Sequence, residues 1–88
     1  MGLIRGYVKK DKKTKNLVSR LKSSDIAVIV HRDLDEVAAI HLVECKVKAV
    51  INCEPSISGK FPNQGPRILH EAGIPLYDNL GSTFFEQV

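Results

Sequence analysis

The sequence predicts one small α/β domain with a mainly parallel central sheet. The first observation is the apolar run at residues 25–30, Asp-Ile-Ala-Val-Ile-Val, which is typical of a strand buried on both faces. A second apolar run at residues 47–52 follows after a helical pattern long enough for a parallel crossover. A glycine- and serine-rich loop at residues 56–66 then leads into a further helix. With 88 residues, the chain is long enough for a single domain.

Composition narrows the class of protein. The chain is 43% hydrophobic and 26% charged, which is ordinary for a globular protein and unlike a disordered chain. It contains no apolar run of the roughly 18 to 20 residues that a membrane-spanning helix needs. The basic N-terminus is not followed by the apolar stretch of a signal peptide. We therefore expect a cytoplasmic location.

The first quarter of the chain is basic. Residues 1–22 hold eight of the 13 Lys and Arg residues and one acid, Asp11. This pattern fits a nucleic-acid or anionic surface patch, or a solvated face rich in lysine that discourages edge-to-edge association. The second interpretation is favoured, because only Tyr7 is nearby to stack on a base. Nucleic acid is thus not an expected partner.

Within this segment, weak alternation over residues 3–8 predicts a short strand. Residues 11–13 form a polar turn, and Thr14 is placed to cap a helix. Leu17, Val18 and Leu21 recur at helical spacing and give that helix one apolar stripe.

The polar residues after the first apolar run predict the start of the next helix. Asp33 is a good N-cap, with Glu36 at capping-box spacing, and the helix is expected to continue to Cys45. One face of this helix is predicted to hold Leu34, Val37, Ala38, His41, Leu42 and Cys45. His41 is accordingly expected at the core margin as a hydrogen-bonded structural histidine.

The last third of the chain is punctuated by glycine and proline. Gly65 and Pro66 should open a short helix that Gly73 closes. Residues 74–77 predict another parallel strand, and a helix should start at Ser82 or Thr83, with Glu86 at capping-box spacing from Thr83. The chain ends after about two turns of that helix, so we expect it to be the N-terminal domain of a longer protein, truncated at its C-terminus.

The two cysteines, Cys45 and Cys53, have three interpretations. They could form a disulfide, bind a metal, or serve as buried small hydrophobic residues in a reducing compartment. The last is favoured. A zinc site is disfavoured, because no short spacing of Cys or His residues is present.

The loop after the second strand is the best candidate site. Its amides, its Ser hydroxyls and two cations could hold an anionic group such as a phosphate. The alternative is a connection whose Gly and Pro residues only set the turn, and the sequence does not decide between them. The loop is neither a Walker A loop nor a Gly-x-Gly-x-x-Gly motif. The predicted binding residues are Ser56, Ser58, Gly59, Lys60, Asn63, Gln64, Gly65 and Arg67, with His31, Arg32, Asp33 and Asn52 as neighbours in one cleft.

Catalysis is not expected from this chain. Ser58 has no base near it in sequence, and neither His31 nor His70 can be placed beside it. We therefore predict no catalytic residue, no metal and no cofactor in this domain.

Much of the chain resembles the N-terminal region of the bacterial SteA family. The segments that carry the resemblance are residues 12–18, 25–29, 31–39, 46–52 and 55–66, the last beginning Pro-Ser-Ile-Ser-Gly. The resemblance implies a cytokinetic-ring protein with a downstream domain similar to thiamin pyrophosphokinase and a hydrophobic C-terminal segment. ATP or thiamin, and any membrane association, would then belong to those downstream parts.

A more distant resemblance concerns fold. Residues 21–30, 49–52 and 69–75 are similar in order and spacing to the swivelling β/β/α phosphohistidine domain, which implies a three-layer architecture. The phosphorylated histidine of that family would fall on Gln64, nine residues before Gly73. Phosphotransfer is therefore not expected.

These observations lead to two functional hypotheses. The first is a non-catalytic accessory domain of a SteA-like protein that binds a phosphorylated or nucleotide-like ligand through the 56–67 loop. The second is a protein-interaction or scaffolding domain in bacterial cell division. In that case the basic strand and helix, with Lys9, Lys12, Lys13 and Lys15, would dock a partner or another copy.

Overall fold

Strands and helices alternate along the chain in the computed structural model, which describes residues 5–59 and 64–88. The elements are β1 (Val8–Asp11), α1 (Thr14–Val18), β2 (Ile26–Ile29), α2 (Glu36–Glu44), β3 (Ala49–Asn52), α3 (Gly65–Glu71), β4 (Leu76–Tyr77) and α4 (Ser82–Gln87). The described strands form one sheet in the order β1-β2-β3-β4, and each neighbouring pair is parallel. The predicted α/β class with a parallel central sheet is confirmed.

The core lies between the sheet and the first three helices. All four residues of β2 are buried, as predicted for a central strand. The residues of β2 and β3 that face the helices pack in one cluster with fully buried leucines of α1, α2 and α3; these residues are Ala27, Ile29, Val50, Leu17, Leu42 and Leu69. Because side chains alternate across a strand, α1, α2 and α3 cover the same face of the sheet.

The last helix lies against the other face. Val28 is fully buried there and pairs in register with Lys10 of β1. The ammonium of Lys10 donates to the carbonyl oxygen of Phe85 at 2.6 Å and lies 4.9 Å from the centroid of the Phe85 ring. This contact fixes α4 over the sheet, so the domain has a helical layer, a sheet and a second partial helical layer.

The first strand is displaced from its predicted position. Residues 3–8 were expected, whereas the strand runs over Val8–Asp11. Its two lysines are half-buried, and each ammonium is held by a partner within the domain. Lys9 reaches the Asp25 carboxylate at 2.7 Å and the carbonyl oxygen of Arg20 at 3.0 Å. Prediction from alternating apolar and polar residues misses this strand, because lysine is counted as polar.

The predicted helix caps are wrong in three places. Thr14 is the first residue of α1 and makes no capping bond, since its buried hydroxyl lies 2.9 Å from Nδ1 of His31. Asp35, and not Asp33, caps α2, accepting from the amide of Ala38 at 2.8 Å. The last helix, α4, starts at Ser82 as predicted, but its cap residue is Gly81 and no side chain caps it, so the expected capping box of Thr83 with Glu86 is not formed.

The buried face of α2 differs from the predicted one. The helix buries Ala38, Ala39 and Leu42, while Val37 is 63% exposed. His41 is exposed, so the prediction that it lies at the core margin is wrong. The predicted stripe was counted from Leu34, which is buried but precedes the helix.

The predicted start and end of α3 are confirmed. The helix starts at Gly65, with Pro66 in its first turn, and Gly73 follows its end with φ of 76°. The amide of Gly73 donates to the carbonyl oxygen of His70, and that of Ile74 to Leu69. These two bonds form a Schellman motif, which directs the chain into β4.

Both cysteines are free thiols, Cys53 buried and Cys45 partly so, as the favoured interpretation predicted. None of the helices within residues 5–59 and 64–88 has the length and apolar character that crossing a membrane requires.

The ion pair between β1 and Asp25 predicts an acid dependence of stability. The Lys9 ammonium and the amide of Lys22 hold the pKa of Asp25 below its usual value near 3.9. A carboxylate with a lower pKa in the folded state stabilises the fold above about pH 4, and this contribution is lost as the pH falls through the folded pKa. We expect Asp25→Asn to lower the free energy of unfolding at pH 7. Below about pH 4, the free energy of unfolding of this variant should fall less steeply with decreasing pH than that of the wild type.

Urea unfolding at pH values from 7 to 3 measures this effect. Glu44→Gln, at an exposed carboxylate, is the matched control and should leave the profile of the wild-type chain unchanged. An Asp25→Asn variant whose stability falls as steeply in acid as that of the wild type would contradict the prediction.

Candidate functional site

The candidate site lies at the carboxyl edge of the sheet and is centred on Asn52. This side chain is fully buried. Its Oδ1 accepts from the amides of His31 and Glu54, each at 3.1 Å. Its Nδ2 donates to the carbonyl oxygen of His31 and to Oγ of Ser56, each at 2.8 Å. The four hydrogen-bonding positions of the side-chain amide are therefore all occupied.

The Asn52 side chain continues the hydrogen bonding between β2 and β3 beyond the last paired residues of the two strands. In the register, Asn52 is opposite Ile29, the last residue of β2, and the amide of Cys53 still donates to the carbonyl oxygen of Ile29. Beyond that point, the Asn52 side chain bonds both backbone groups of His31, as a strand peptide would. His31 and Asn52, which were predicted to be neighbours, are thus in contact, and Asn52 stabilises the turn that follows β2.

Ser56 connects this amide to the strand at the sheet's edge. It is 1% exposed. Both its amide and its hydroxyl donate to Oδ1 of Asp78, at 2.9 and 2.6 Å. Asp78 directly follows β4, so the loops after β3 and β4 are joined through this pair. The sequence did not identify Asp78, because nothing near it in the chain indicates a partner 22 residues away.

Ser58 connects the loop to the turn after β2. Its amide and hydroxyl donate to the two carboxylate oxygens of Asp33, at 2.7 and 2.8 Å. The backbone of that turn also bonds the loop, with the amides of Asp33 and Leu34 donating to Pro55 and Ser56. Asp33 has φ of 54°, a conformation that Asp tolerates better than most residues. The amides and hydroxyls of Ser56 and Ser58, which were expected to contact an anion, therefore donate to carboxylates of the chain itself.

The second half of the loop differs. Gln64 is exposed and is the N-cap residue of α3, but its side chain makes no capping hydrogen bond. Arg67 is also exposed, and its Nε lies 3.7 Å from Oε1 of Glu71. Gly65 is buried, and a Cβ there would collide with the carbonyl oxygen of Leu34. Two predicted site residues, Lys60 and Asn63, lie outside the described residues.

The remaining predicted residues lie near the first half of the loop. Gly59 is exposed with φ of 89°. Arg32 is exposed in the turn after β2. His31 is directed away from the loop, because its Nδ1 lies 2.9 Å from the Thr14 hydroxyl. The predicted cleft therefore contains Asp33 and Asn52, while the His31 imidazole faces the helices.

A groove between α1 and α2 was not predicted. It encloses about 280 Å³ and has apolar walls from Val18, Val37 and Ala38. Its polar residues are Thr14, Lys15, His31, Asp35 and His41. Nε2 of His31 lies 3.7 Å from Oδ2 of Asp35. Val37 and His41 were both expected on the buried face of α2, and both are exposed beside this groove.

A second cavity of about 320 Å³ lies between the carboxyl edge of the sheet and α4. It is lined in part by Cys53 and Phe85. Burial raises the pKa of the Cys53 thiol, so the thiolate is scarce near neutral pH. This cysteine is a poor nucleophile. Among the described residues, no three His, Cys, Asp or Glu side chains are grouped so that they could hold a metal.

Comparisons of the chain with known protein families, with curated proteins and with solved structures found no match. The function is therefore argued from the site itself.

The Asn52 amide should be the most sensitive polar position in the domain. Asn52→Ala would leave the amide and carbonyl of His31 and the amide of Glu54 without their partner. We expect the free energy of unfolding to fall by about 3 kcal/mol. Urea denaturation measures it, with Asn16→Ala, at an exposed position on α1, as the control expected to change by less than about 0.5 kcal/mol. A loss below about 1 kcal/mol for Asn52→Ala would show that water replaces the amide.

The close contact at Gly65 gives a second test of the loop. A methyl group there meets the backbone of Leu34, which is itself tied to the loop, so Gly65→Ala should cost at least about 3 kcal/mol. Gly59→Ala is the control, since its Cβ would meet no atom within 4 Å. That variant should cost only about 1 kcal/mol, for the positive φ. Equal losses at the two positions, measured by thermal and urea unfolding, would contradict the packing argument.

Proposed function

We propose that this chain is a non-catalytic recognition domain of a larger SteA-like protein, and that its 56–67 loop binds a phosphorylated or nucleotide-like ligand. The observation that carries the proposal is the fixing of Ser56 and Ser58 before residues 60–63 in the chain and of Gly65 after them. Ser56 and Ser58 are bonded to Asp78 and Asp33, and Gly65 is packed on Leu34. A loop whose ends are ordered before binding loses less conformational entropy when a ligand arrives.

The charges of the described residues restrict where an anion would lie. Asp33 and Asp78 already occupy the donors of Ser56 and Ser58, and their charges repel a phosphate there. Arg67 is exposed in the first turn of α3, and its only ion pair in the described part of the chain is the 3.7 Å contact with Glu71. The ligand is therefore proposed to contact Gly59, Gln64 and Arg67, with Lys60 and Asn63 from the sequence prediction.

The proposal assigns no chemistry to the domain. The Ser56 and Ser58 hydroxyls donate to carboxylates, and the His31 imidazole is paired with Thr14. ATP or thiamin would be ligands of a downstream domain, as the SteA resemblance implies, and the compartment would be the cytoplasm. The domain would then present or sense a phosphorylated ligand for that downstream partner.

A second candidate function is protein interaction. The observation that favours it is the exposure of Lys12, Lys13 and Lys15 around the start of α1, next to the groove. Lys9, which the sequence grouped with them, is instead held by Asp25. A protein partner in bacterial cell division would therefore contact Lys12, Lys13 and Lys15, and not Lys9.

Titration of the ¹⁵N-labelled chain with inorganic phosphate, thiamin monophosphate and ATP tests the ligand proposal. We expect amide shifts at Gly59, Gln64 and Arg67 with millimolar affinity, and small shifts at Ser56 and Ser58. Arg67→Gln should weaken binding about fivefold to tenfold, because it removes a charge-assisted hydrogen bond.

Arg5→Gln is the control, since Arg5 is exposed and far from the loop in sequence. This substitution removes the same charge and should leave the affinity unchanged. Absence of shifts at 10 mM of all three ligands, or equal effects of the two arginine substitutions, would refute a site in this loop.

A further inference from the structure

The cavity between the carboxyl edge of the sheet and α4 is lined by residues from the ends of three adjacent strands. Lys12 follows β1, Val30 follows β2, and Glu54 lies two residues beyond β3. In parallel α/β sheets, ligands bind outside the carboxyl ends of the strands. The cavity volume of about 320 Å³ is at the small end of the range for ligand sites, so the cavity suits a small molecule.

The inner wall of this cavity is apolar and is formed before any ligand binds. Cys53 is 2% exposed, and Val30 and Phe85 are half-buried. The aromatic ring is held by its contact with β1. The amide of Gly81 donates to the carbonyl oxygen of Cys53 at 3.0 Å and fixes the entry of the chain into α4. A preformed wall of this kind reduces the entropy that is lost when a ligand binds.

The rim of the cavity carries charges of both signs. Lys12 supplies an ammonium group, and Glu54 and Glu86 supply carboxylates. Within residues 5–59 and 64–88, the side chains of these three residues form no ion pair and no hydrogen bond. Glu54 is half-buried, so a cation bound beside it would gain a charged partner that the described part of the domain does not occupy.

The opposite charges lie on different sides of the apolar wall. Because β2 lies between β1 and β3 in the sheet, the backbones at Lys12 and Glu54 are separated by two strand spacings, roughly 10 Å. Val30 lies between them at the end of β2. Lys12 and Glu54 line one cavity but form no ion pair across it. The cavity therefore offers a cation on one side, an anion on the other and apolar surface between them.

We propose that this cavity binds a free α-amino acid with an apolar side chain. Such a molecule carries a carboxylate and an ammonium group at neutral pH. Lys12 pairs with its carboxylate and Glu54 with its ammonium group. The apolar side chain branches from the carbon next to both charged groups, so it can lie on Val30, Cys53 and Phe85 while the charges stay at the rim. An ω-amino acid would instead place its apolar chain between the charges.

The charge of the rim also determines what the cavity rejects. Glu86 adds a second carboxylate on the side of α4, so one cation faces two anions. A ligand with a carboxylate or phosphate and no ammonium group would be repelled by Glu54 and Glu86. This site is therefore distinct in chemistry from the one proposed for the 56–67 loop, and it does not depend on that proposal. Arg67→Gln should leave amino-acid binding unchanged, so the two proposals can fail separately.

Titration of the ¹⁵N-labelled chain with three matched ligands tests the inference. These are L-leucine, 3-methylbutylamine, which lacks the carboxylate of leucine, and 4-methylpentanoate, which lacks its ammonium group. Leucine should shift the amides of Cys53, Glu54 and Phe85 with a Kd below about 1 mM. Each of the other two ligands should bind at least about tenfold more weakly, because each loses one charge-assisted hydrogen bond. L-Methionine and L-phenylalanine, titrated in the same way, cover other shapes of apolar side chain.

Substitutions at the rim assign each charge to its partner. Glu54→Gln should weaken the binding of leucine and of 3-methylbutylamine alike, by at least about tenfold. Lys12→Gln should weaken the binding of leucine to the same extent and leave that of 3-methylbutylamine unchanged. Glu44→Gln and Lys13→Gln are the matched controls, since both residues are exposed and neither lines the cavity. Amide spectra of the free variants establish that they remain folded.

The inference fails if none of the three amino acids shifts the amides that line the cavity at a concentration of 10 mM. It fails equally if 3-methylbutylamine or 4-methylpentanoate binds as tightly as leucine, because one of the two rim charges would then be unused. A Lys12→Gln or Glu54→Gln variant that binds leucine like its control would also overturn it.

Discussion

The arrangement at the carboxyl edge of the sheet depends on one buried side-chain amide. Asn52 is fully buried, and a buried amide without partners is costly, so the surrounding groups must supply two acceptors and two donors. His31, Glu54 and Ser56 supply them. Because His31 belongs to the turn after β2 and the other two to the loop after β3, one residue fixes two connections.

Ser56 and Asp78 link the buried Asn52 amide to β4. Ser56 accepts from Asn52 and donates to Asp78, which follows a strand of only two residues. So short a strand has few ladder bonds to hold it. Additional bonds between the loops and backbone, such as that from Leu80 to Asn52, therefore help to fix the end of the sheet. The carboxylates of Asp33 and Asp78 occupy donors that, in many strand–loop–helix sites, face a bound anion.

The sequence predicted what depends on neighbouring residues. The apolar run of β2 was sufficient to predict a buried strand. The glycine and proline residues around α3 were sufficient to predict where that helix starts and ends. Both features depend on residues that are close together in the chain. Asp33 was the predicted cap of α2, but its carboxylate accepts from the distant Ser58, and Asp35 caps the helix instead. The Ser56–Asp78 pair was unpredictable for the same reason. The groove was missed because the predicted buried face of α2 included Val37 and His41, which line it.

The site also bears on how a small domain can expose an apolar residue without losing its order. Removing Ile57 from water within the domain would require the loop to fold back over the sheet edge. The four bonds from Ser56 and Ser58 to two carboxylates oppose this, since each bond would have to break before the side chain could turn inward. The polar network therefore does more than satisfy buried groups: it keeps Ile57 at the surface.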